Sequence, residues 1–445
     1  MVGGKEQNRY DTDYFQDVAT GKSILFAPRL PAEYAVWLGE IKPERYMVST
    51  VYYTNEITSV LHDEYKGSGK PLLFLLHGLG TDDSQNLQSL SITTVEICIY
   101  LSLSSLGGFK DLATSFGIDK FDTDLTTLHP VLTECRVTKS DLELALIQFA
   151  NDISSDARVE VMRKVREGMY EYQLESMFLH HTYMYGGCRH CSYTCICATG
   201  DNSAVLHYGH AEAPNDKILE DGDLALLDMG SEYNFYGSDI TCSYPVNGKL
   251  SPDQALIYNA FLDAHNAVIS TMKPGVSWLD MHKLAEKVIL ESLKRGRILV
   301  GTADDMMVER LGAVFMPHGL GHLLGIDTHD PGGYPKGTEG SKEPGLKPLC
   351  TTRELQEGMP WEIQILLKFF NYEAANRFKG SGGVQIESDV LVTANGCKNM
   401  TKVPQEISEI EAVMAGAPWP LDKSSSGEKA GQTTATSDFD VLSKI

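Results

Sequence analysis

Apolar and polar positions recur with two different periods along this chain, and the change between them divides it. Apolar runs at Gly21–Pro28 (GKSILFAP) and Lys70–Leu76 (KPLLFLL) predict strands, and the spacing around Ser59–Asp63 predicts a helix. Segment 84–115 is rich in Ser and Leu and its periodicity fits neither template. Thr127–Val137 leads into the first clear helical pattern, Leu142–Ile153. That helix opens on a capping box, in which the Ser140 hydroxyl accepts from the Glu143 amide while Glu143 reaches back. Ser251-Pro252-Asp253-Gln254 predicts a second helix running to about Met272, with Pro at its first position. Ser277–Asp280 opens a third, which stops at Gly296 after Lys294 and Arg295.

Strand patterns at Ser203–His207, Leu224–Asp228, Ile240–Tyr244 and Val384–Asp389 alternate with these helices. The expected class is α/β in the broad sense, more narrowly α+β with sheets built largely from hairpins. A smaller N-terminal domain is expected over 1–135 and a larger one over 136–418. Residues 419–445 are polar and nearly free of aromatics, the composition of a disordered tail.

Composition narrows the partners. A chain of 445 residues predicts two to three domains. Lys+Arg 38 against Asp+Glu 60 leaves a net charge of −22, which repels phosphate backbones and anionic lipid; nucleic acid and membrane are excluded as partners. Leu90–Leu106 comes nearest to a membrane span but carries Glu96 and several Ser and Thr. The N-terminal stretch MVGGKEQNRYDTDYF is polar, and nine cysteines are no disulfide scaffold, so the cytosol is the expected compartment.

Four segments carry candidate chemistry. In Leu224–Pro245 an apolar run ends in Asp228, and a Gly/Ser-rich connection leads to Asp239 ahead of a β-branched run. On a hairpin these two carboxylates either lie at strand ends as ordinary turn residues or approach closely enough to need a proton or a cation between them. Met316–Asp330 (MPHGLGHLLGIDTHD) holds His318, His322 and His329; Pro317, Gly319 and Gly321 argue against a helix there and for a backbone that passes close to a bound group. Gly380–Asp389 (GSGGVQIESD) places Glu387 on a strand-like run, and AVLHYGHA carries His207 and His210. Cys188, Cys191, Cys195 and Cys197 crowd into ten positions, closer than the paired CxxC units of a zinc ribbon, and read as buried free thiols.

Together DMGSEY, SDIT, PHGLGH and GGVQIE, in this order and spacing, resemble the metallopeptidases of the methionine aminopeptidase and proline peptidase clan. HYGHA, GGCRHCSYTCIC and MPHGLGHLLGIDTHDPGGYP look specifically like the Xaa-Pro dipeptidases (prolidases) of peptidase family M24. The resemblance covers most of 125–415. It implies a pita-bread catalytic domain preceded by a smaller α/β domain, a homodimer, and two divalent cations per subunit, typically Mn²⁺. The implied ligands are Asp228, Asp239, His322 and Glu387. The resemblance implies that His207, His318 and His329 orient substrate or bond the developing oxyanion and that Tyr193 shapes a prolyl pocket. The implied reaction is hydrolysis of Xaa-Pro and Xaa-hydroxyproline dipeptides. An Xaa-Pro aminopeptidase, and a silent member acting as a binding protein, are the alternatives.

The chain departs from this pattern in several places. The family's fifth ligand is a Glu in a V-E-P-G strand, but Gly358-Met359 leads here to PWEIQIL, with Gln364 at the expected offset. Glu362 lies two residues earlier, on the same face of a strand, and is a substitute ligand only if the register slips; Pro360 is expected to disturb that strand. Where the family carries arginines for the dipeptide carboxylate stand Cys350 and Gln385, with Arg353 a displaced replacement. Family segments are missing near 15–18 and 360–375, and 84–110 reads as an insertion, so the N-terminal domain is expected to be incomplete. Splicing, an imperfect gene model and divergence all fit these departures.

Overall fold

The computed structural model describes residues 13–17, 19–27, 29, 31, 36, 42–65, 70, 72–74, 97–98, 120–208, 215–335, 337–366 and 382–421. The polar tail beyond 421, His210 and most of segment 84–115 lie outside these residues. Among the described residues no helix is long and apolar enough to cross a membrane.

In the N-terminal part, Asp13–Gln16 pairs antiparallel with Ser23–Ala27, which pairs in parallel with Thr50–Tyr53. Ile97–Cys98 adds a short antiparallel strand to Asp13–Gln16, so two residues of the expected insertion join the sheet. Phe15, Ile24, Phe26, Ile57, Leu61, Leu73 and Phe121 form one buried core under the helix Ile57–Tyr65.

The larger part gathers a second core around two three-stranded sheets. One contains Ile196–Thr199, Leu224–Asp228 and Thr241–Pro245, antiparallel throughout and buried along every strand. Burial on both faces is why LALLD reads as an unbroken apolar run rather than an alternation. The other contains Pro360–Leu366, Gln385–Thr393 and Gly396–Asn399. Polar bonds join the sheets: the Ser243 hydroxyl donates to the Gln385 carbonyl at 2.9 Å and accepts from the Gln385 amide at 2.9 Å.

The long helices Asp141–Lys164, Glu171–Gly186, Pro252–Thr271 and Trp278–Arg295 cover these sheets. The capping boxes at Ser140 and Ser251 both form. The first capped helix runs eleven residues past the expected Ile153. Leu128–Val137 is itself helical instead of a lead-in, and the helix at 171–186, which ends on left-handed Gly187, has no counterpart in the sequence reading.

Two expectations are corrected. Ser203–His207 is no strand: Gly200–Ala204 is a tight 3₁₀ turn, in which the Ser203 hydroxyl donates to the Gly200 carbonyl at 2.5 Å. Pro360 does not disturb the strand it belongs to, because it occupies the first position of Pro360–Leu366, where a missing amide hydrogen costs little.

Candidate metal centre

The hairpin Leu224–Asp228/Thr241–Pro245 sets Asp228 opposite Thr241, which leaves Asp239 two positions before the ladder. Glu387 arrives from the adjoining sheet. One carboxylate oxygen each from Asp228, Asp239 and Glu387 lies within 4.8 Å of the others, and all three residues are buried; no other such group of three ligating side chains occurs among the described residues. Three like charges in a water-poor setting repel. Burial first, and then the Asp239 charge, push the Asp228 carboxyl up to about 7. Burial and the charges of Asp228 and Asp239 raise Glu387 well above the usual carboxylate range.

His322 joins from the irregular Met316–His322 loop. Its Nδ1 donates to the Leu323 carbonyl at 3.0 Å, which leaves Nε2 as a lone pair. Burial, followed by the neighbouring His329, holds its pKa below the usual value, so the ring is neutral near pH 7. That Nε2 lies 3.3 Å from Asp239 Oδ2 and 3.4 Å from Glu362 Oε2. The ring of His329 is 4.0 Å from that of His322, centroid to centroid. His318 is buried beside Gly319, with Nδ1 donating to the Gly319 carbonyl at 2.7 Å.

This loop sits where it does because it extends the second sheet. Gln364 N donates to the Leu320 carbonyl at 2.6 Å and Glu362 N to the His322 carbonyl at 3.0 Å. Gly321 lies between those two contacts; a Cβ there would fall 1.8 Å from the Glu362 carbonyl oxygen, so only glycine fits.

The residues present fit divalent cations. Oxygen donors with one imidazole suit a hard or borderline ion. Asp228 Oδ1 is buried with no hydrogen-bond partner, as are both oxygens of Glu362, and an orphaned buried carboxylate oxygen is costly unless a cation satisfies it. The Tyr193 hydroxyl is likewise buried without a partner, and burial and the charges of Asp228, Asp239 and Glu387 raise its pKa strongly.

Other expected residues fall elsewhere. His207 is exposed in the turn after Gly200–Ala204. Arg353 is committed away from the acidic group: its Nε donates to the Gly332 carbonyl, and its guanidinium pairs with both carboxylate oxygens of Glu134 on the 128–137 helix, at 3.1 Å through Nη1. Gln385 lies inside the site and donates to Glu387 Oε1. Gln364 donates to the same oxygen at 2.6 Å. The thiols Cys188, Cys195 and Cys197 are buried and Cys191 half-buried, with Cys191 and Cys195 3.8 Å apart.

The sequence reading missed Arg158. This fully buried guanidinium donates to the carbonyls of Leu227, at 2.7 Å, and of Met229 and Ile240, thereby gripping the backbone on either side of Asp228 and next to Asp239. Asp389 was missed too. Buried, it accepts from the Asp239 amide at 2.9 Å through Oδ2. Its only signal in sequence is its place two residues after Glu387, on the same strand face.

Comparison with known proteins agrees with this centre. The model of metallopeptidase family M24 matches residues 145–394, more than half of the chain. The chain is 46% identical to the Xaa-Pro dipeptidase of Mus musculus, over 96% of this chain and 90% of that one. It is 45% identical to the Xaa-Pro dipeptidase of Homo sapiens, over 94% and 88%. Among solved structures, proline aminopeptidase P II from Yersinia pestis superposes with a TM-score of 0.72 at 28% identity, over 90% of this chain and 86% of that one. The match to the family model, the full-length relatives and the shared architecture together make this chain a member of metallopeptidase family M24, with the pita-bread fold that its motifs imply.

Proposed function

We propose that this chain hydrolyses Xaa-Pro dipeptides, and Xaa-hydroxyproline dipeptides with them, using two divalent cations, Mn²⁺ foremost. The observation that carries the reading is the buried Asp228–Asp239–Glu387 group, with oxygens within 4.8 Å and a carboxylate oxygen left unbonded. Asp228, Asp239, His322 and Glu387 would hold the cations; Asp239 lies against both the other carboxylates and His322. Divalent cations supply Lewis acidity there: they make water a nucleophile near neutral pH and polarise the scissile carbonyl.

The protein's own groups do the rest. The Nδ1–H bonds of His318 and His322 fix which ring nitrogen faces the site. His329 would then donate to the developing oxyanion, His318, whose Nε2 is left as an acceptor, would orient the substrate, and the Tyr193 ring would shape the prolyl side. Higher identity to a named Xaa-Pro dipeptidase than to a relative named as a probable Xaa-Pro aminopeptidase, 46% against 33%, supports a dipeptide over a longer peptide. Nine cysteines spread over 445 residues, too sparse for a disulfide scaffold, support a cytosolic setting. Resemblance supports a homodimer, which light scattering would test.

The test is release of proline from Gly-Pro by Mn²⁺-loaded protein, beside a tripeptide Xaa-Pro-Yaa. Dipeptide cleavage alone bears the proposal out; preferential release of the first residue of the tripeptide makes it an aminopeptidase. A second reading, a silent binding protein, draws on one contact: the Gln364 amide spends a hydrogen bond on Glu387 at 2.6 Å. Neither cleavage nor bound cations at any metal concentration would favour it.

A further inference from the structure

We infer that Glu362 is a metal ligand in this chain: it completes a second cation position with Asp239 and His322, in place of the residue at 364. The inference rests on the proposed function and concerns how the site holds its ions. Glu362 and Gln364 share one face of Pro360–Leu366, two residues apart, or about 7 Å along the strand. The register has not slipped: Gln364 stands opposite Glu387, and Glu362 opposite Asp389. What brings Glu362 into the site is the edge contact with the histidine loop. The Glu362 amide donates to the His322 carbonyl, while the Gln364 amide donates to Leu320, so the imidazole is set beside position 362 and away from 364.

The imidazole has no proton of its own to give at that point. Nδ1–H of His322 is spent on Leu323, so Nε2 meets Asp239 Oδ2 at 3.3 Å and Glu362 Oε2 at 3.4 Å as a lone pair facing two carboxylates. Each carboxylate thus stands at ligand-to-ligand distance from Nε2; the three atoms do not lie within 4.8 Å of one another as the Asp228–Asp239–Glu387 oxygens do, and a cation would draw Asp239 and Glu362 together. Glu362 is completely buried, and neither of its oxygens has a hydrogen-bond partner. Gln364, by contrast, has a donor role, with its amide on Glu387 Oε1. Its neutral side chain carries no charge to offset a cation. Four carboxylates, Asp228, Asp239, Glu362 and Glu387, then balance the four positive charges of two dications. The carboxylate has moved two positions along the strand face, and the charge of the site is retained.

The test counts cations rather than turnover. Equilibrium dialysis of the full chain against Mn²⁺, followed by elemental analysis, is expected to give two ions per chain for wild type and one for Glu362→Gln. Exchange coupling between paired Mn²⁺ ions in the electron paramagnetic resonance spectrum is expected to vanish with the second ion. The double variant Glu362→Gln/Gln364→Glu returns the charge to the strand and is expected to recover the second ion; it decides the matter if the single variant melts early. Glu362→Gln that holds two ions at unchanged affinity overturns the inference, as does wild type that holds only one. Wild type with two ions and no dipeptide hydrolysis overturns the proposed substrate while leaving the ligand assignment standing. Wild type with no bound ion removes both.

Discussion

Gln364 Nε2 and Glu387 Oε1 face each other across the antiparallel pair at 2.6 Å, so an amide occupies the place from which the family pattern sends a second carboxylate. Replacing Gln364 by Glu removes a donor to a buried carboxylate and sets a like charge directly opposite it. Without metal, the variant is expected to lose about 1–3 kcal/mol of stability. Saturating Mn²⁺ should raise its melting temperature by more than it raises that of wild type. Metal-free Gln364→Glu that melts with wild type would show that Glu387 does not depend on the amide.

Chelation should make stability fall with rising pH. Asp228 is pushed from 3.8 up to about 7 by burial and by Asp239, and Glu362 and Glu387 are raised in the same direction. Between about pH 4 and pH 7 the metal-free native state therefore binds more protons than the unfolded chain, and stability falls as pH rises through that window. For Asp228 alone the shift is on the order of 4 kcal/mol. Cation binding offsets the loss by its own binding free energy. Urea unfolding of His265→Gln, which lacks the opposing buried imidazole, at pH 5 and pH 7 with and without a chelator measures both effects; a metal-free variant equally stable at the two pH values refutes the prediction.

Gly321→Ala tests the seam between the histidine loop and the strand. The new methyl would lie 1.8 Å from the Glu362 carbonyl oxygen and 2.8 Å from its carbonyl carbon, both backbone atoms that move only with the strand. Overpacking of this kind costs about 1–3 kcal/mol, occasionally more. Because the same two segments carry His322 and Glu362, cation affinity should fall by more than fold stability does. Calorimetric Mn²⁺ titration beside a thermal melt separates the two, and unchanged affinity in a folded variant would contradict it.

Local signals were legible in the sequence, and contacts across the fold were not. Ser140 and Ser251 cap their helices through residues three positions away, so a short window contains the whole device. The Asp228–Asp239 hairpin reads from its apolar run and its turn residues for the same reason. Glu362 depends on the Leu320–His322 edge some forty residues earlier, and nothing next to it in sequence reports that contact. Arg158 would ordinarily read as a solvated position on a helix; its three carbonyl acceptors, on Leu227, Met229 and Ile240, are supplied by the hairpin that it braces. Ser203 misled because its hydroxyl is spent on Gly200 and accepts from the Gly383 amide at 2.7 Å, which favours a tight turn over an extended strand.

His265 should govern part of the acid limb of stability from behind the ligand strand. It lies fully buried on the Pro252–Thr271 helix, with Nε2 3.1 Å from the Ser388 hydroxyl, next to Glu387. Burial lowers its pKa from 6.5 to about 4. Between those values the unfolded chain binds the proton and the native state does not, so stability rises with pH in this window and is lost as pH falls from about 6.5 to about 4. The full shift corresponds to about 3 kcal/mol. The metal-free acidic group titrates in the opposite sense over much the same range, so wild type alone would show a blunted profile. The difference between wild type and His265→Gln cancels the shared carboxylates, and glutamine keeps a polar group facing Ser388. Under chelator, wild type should lose stability relative to His265→Gln as pH falls from 7 to 4.5, and a difference that stays flat across that range would show that His265 is charged in the native state.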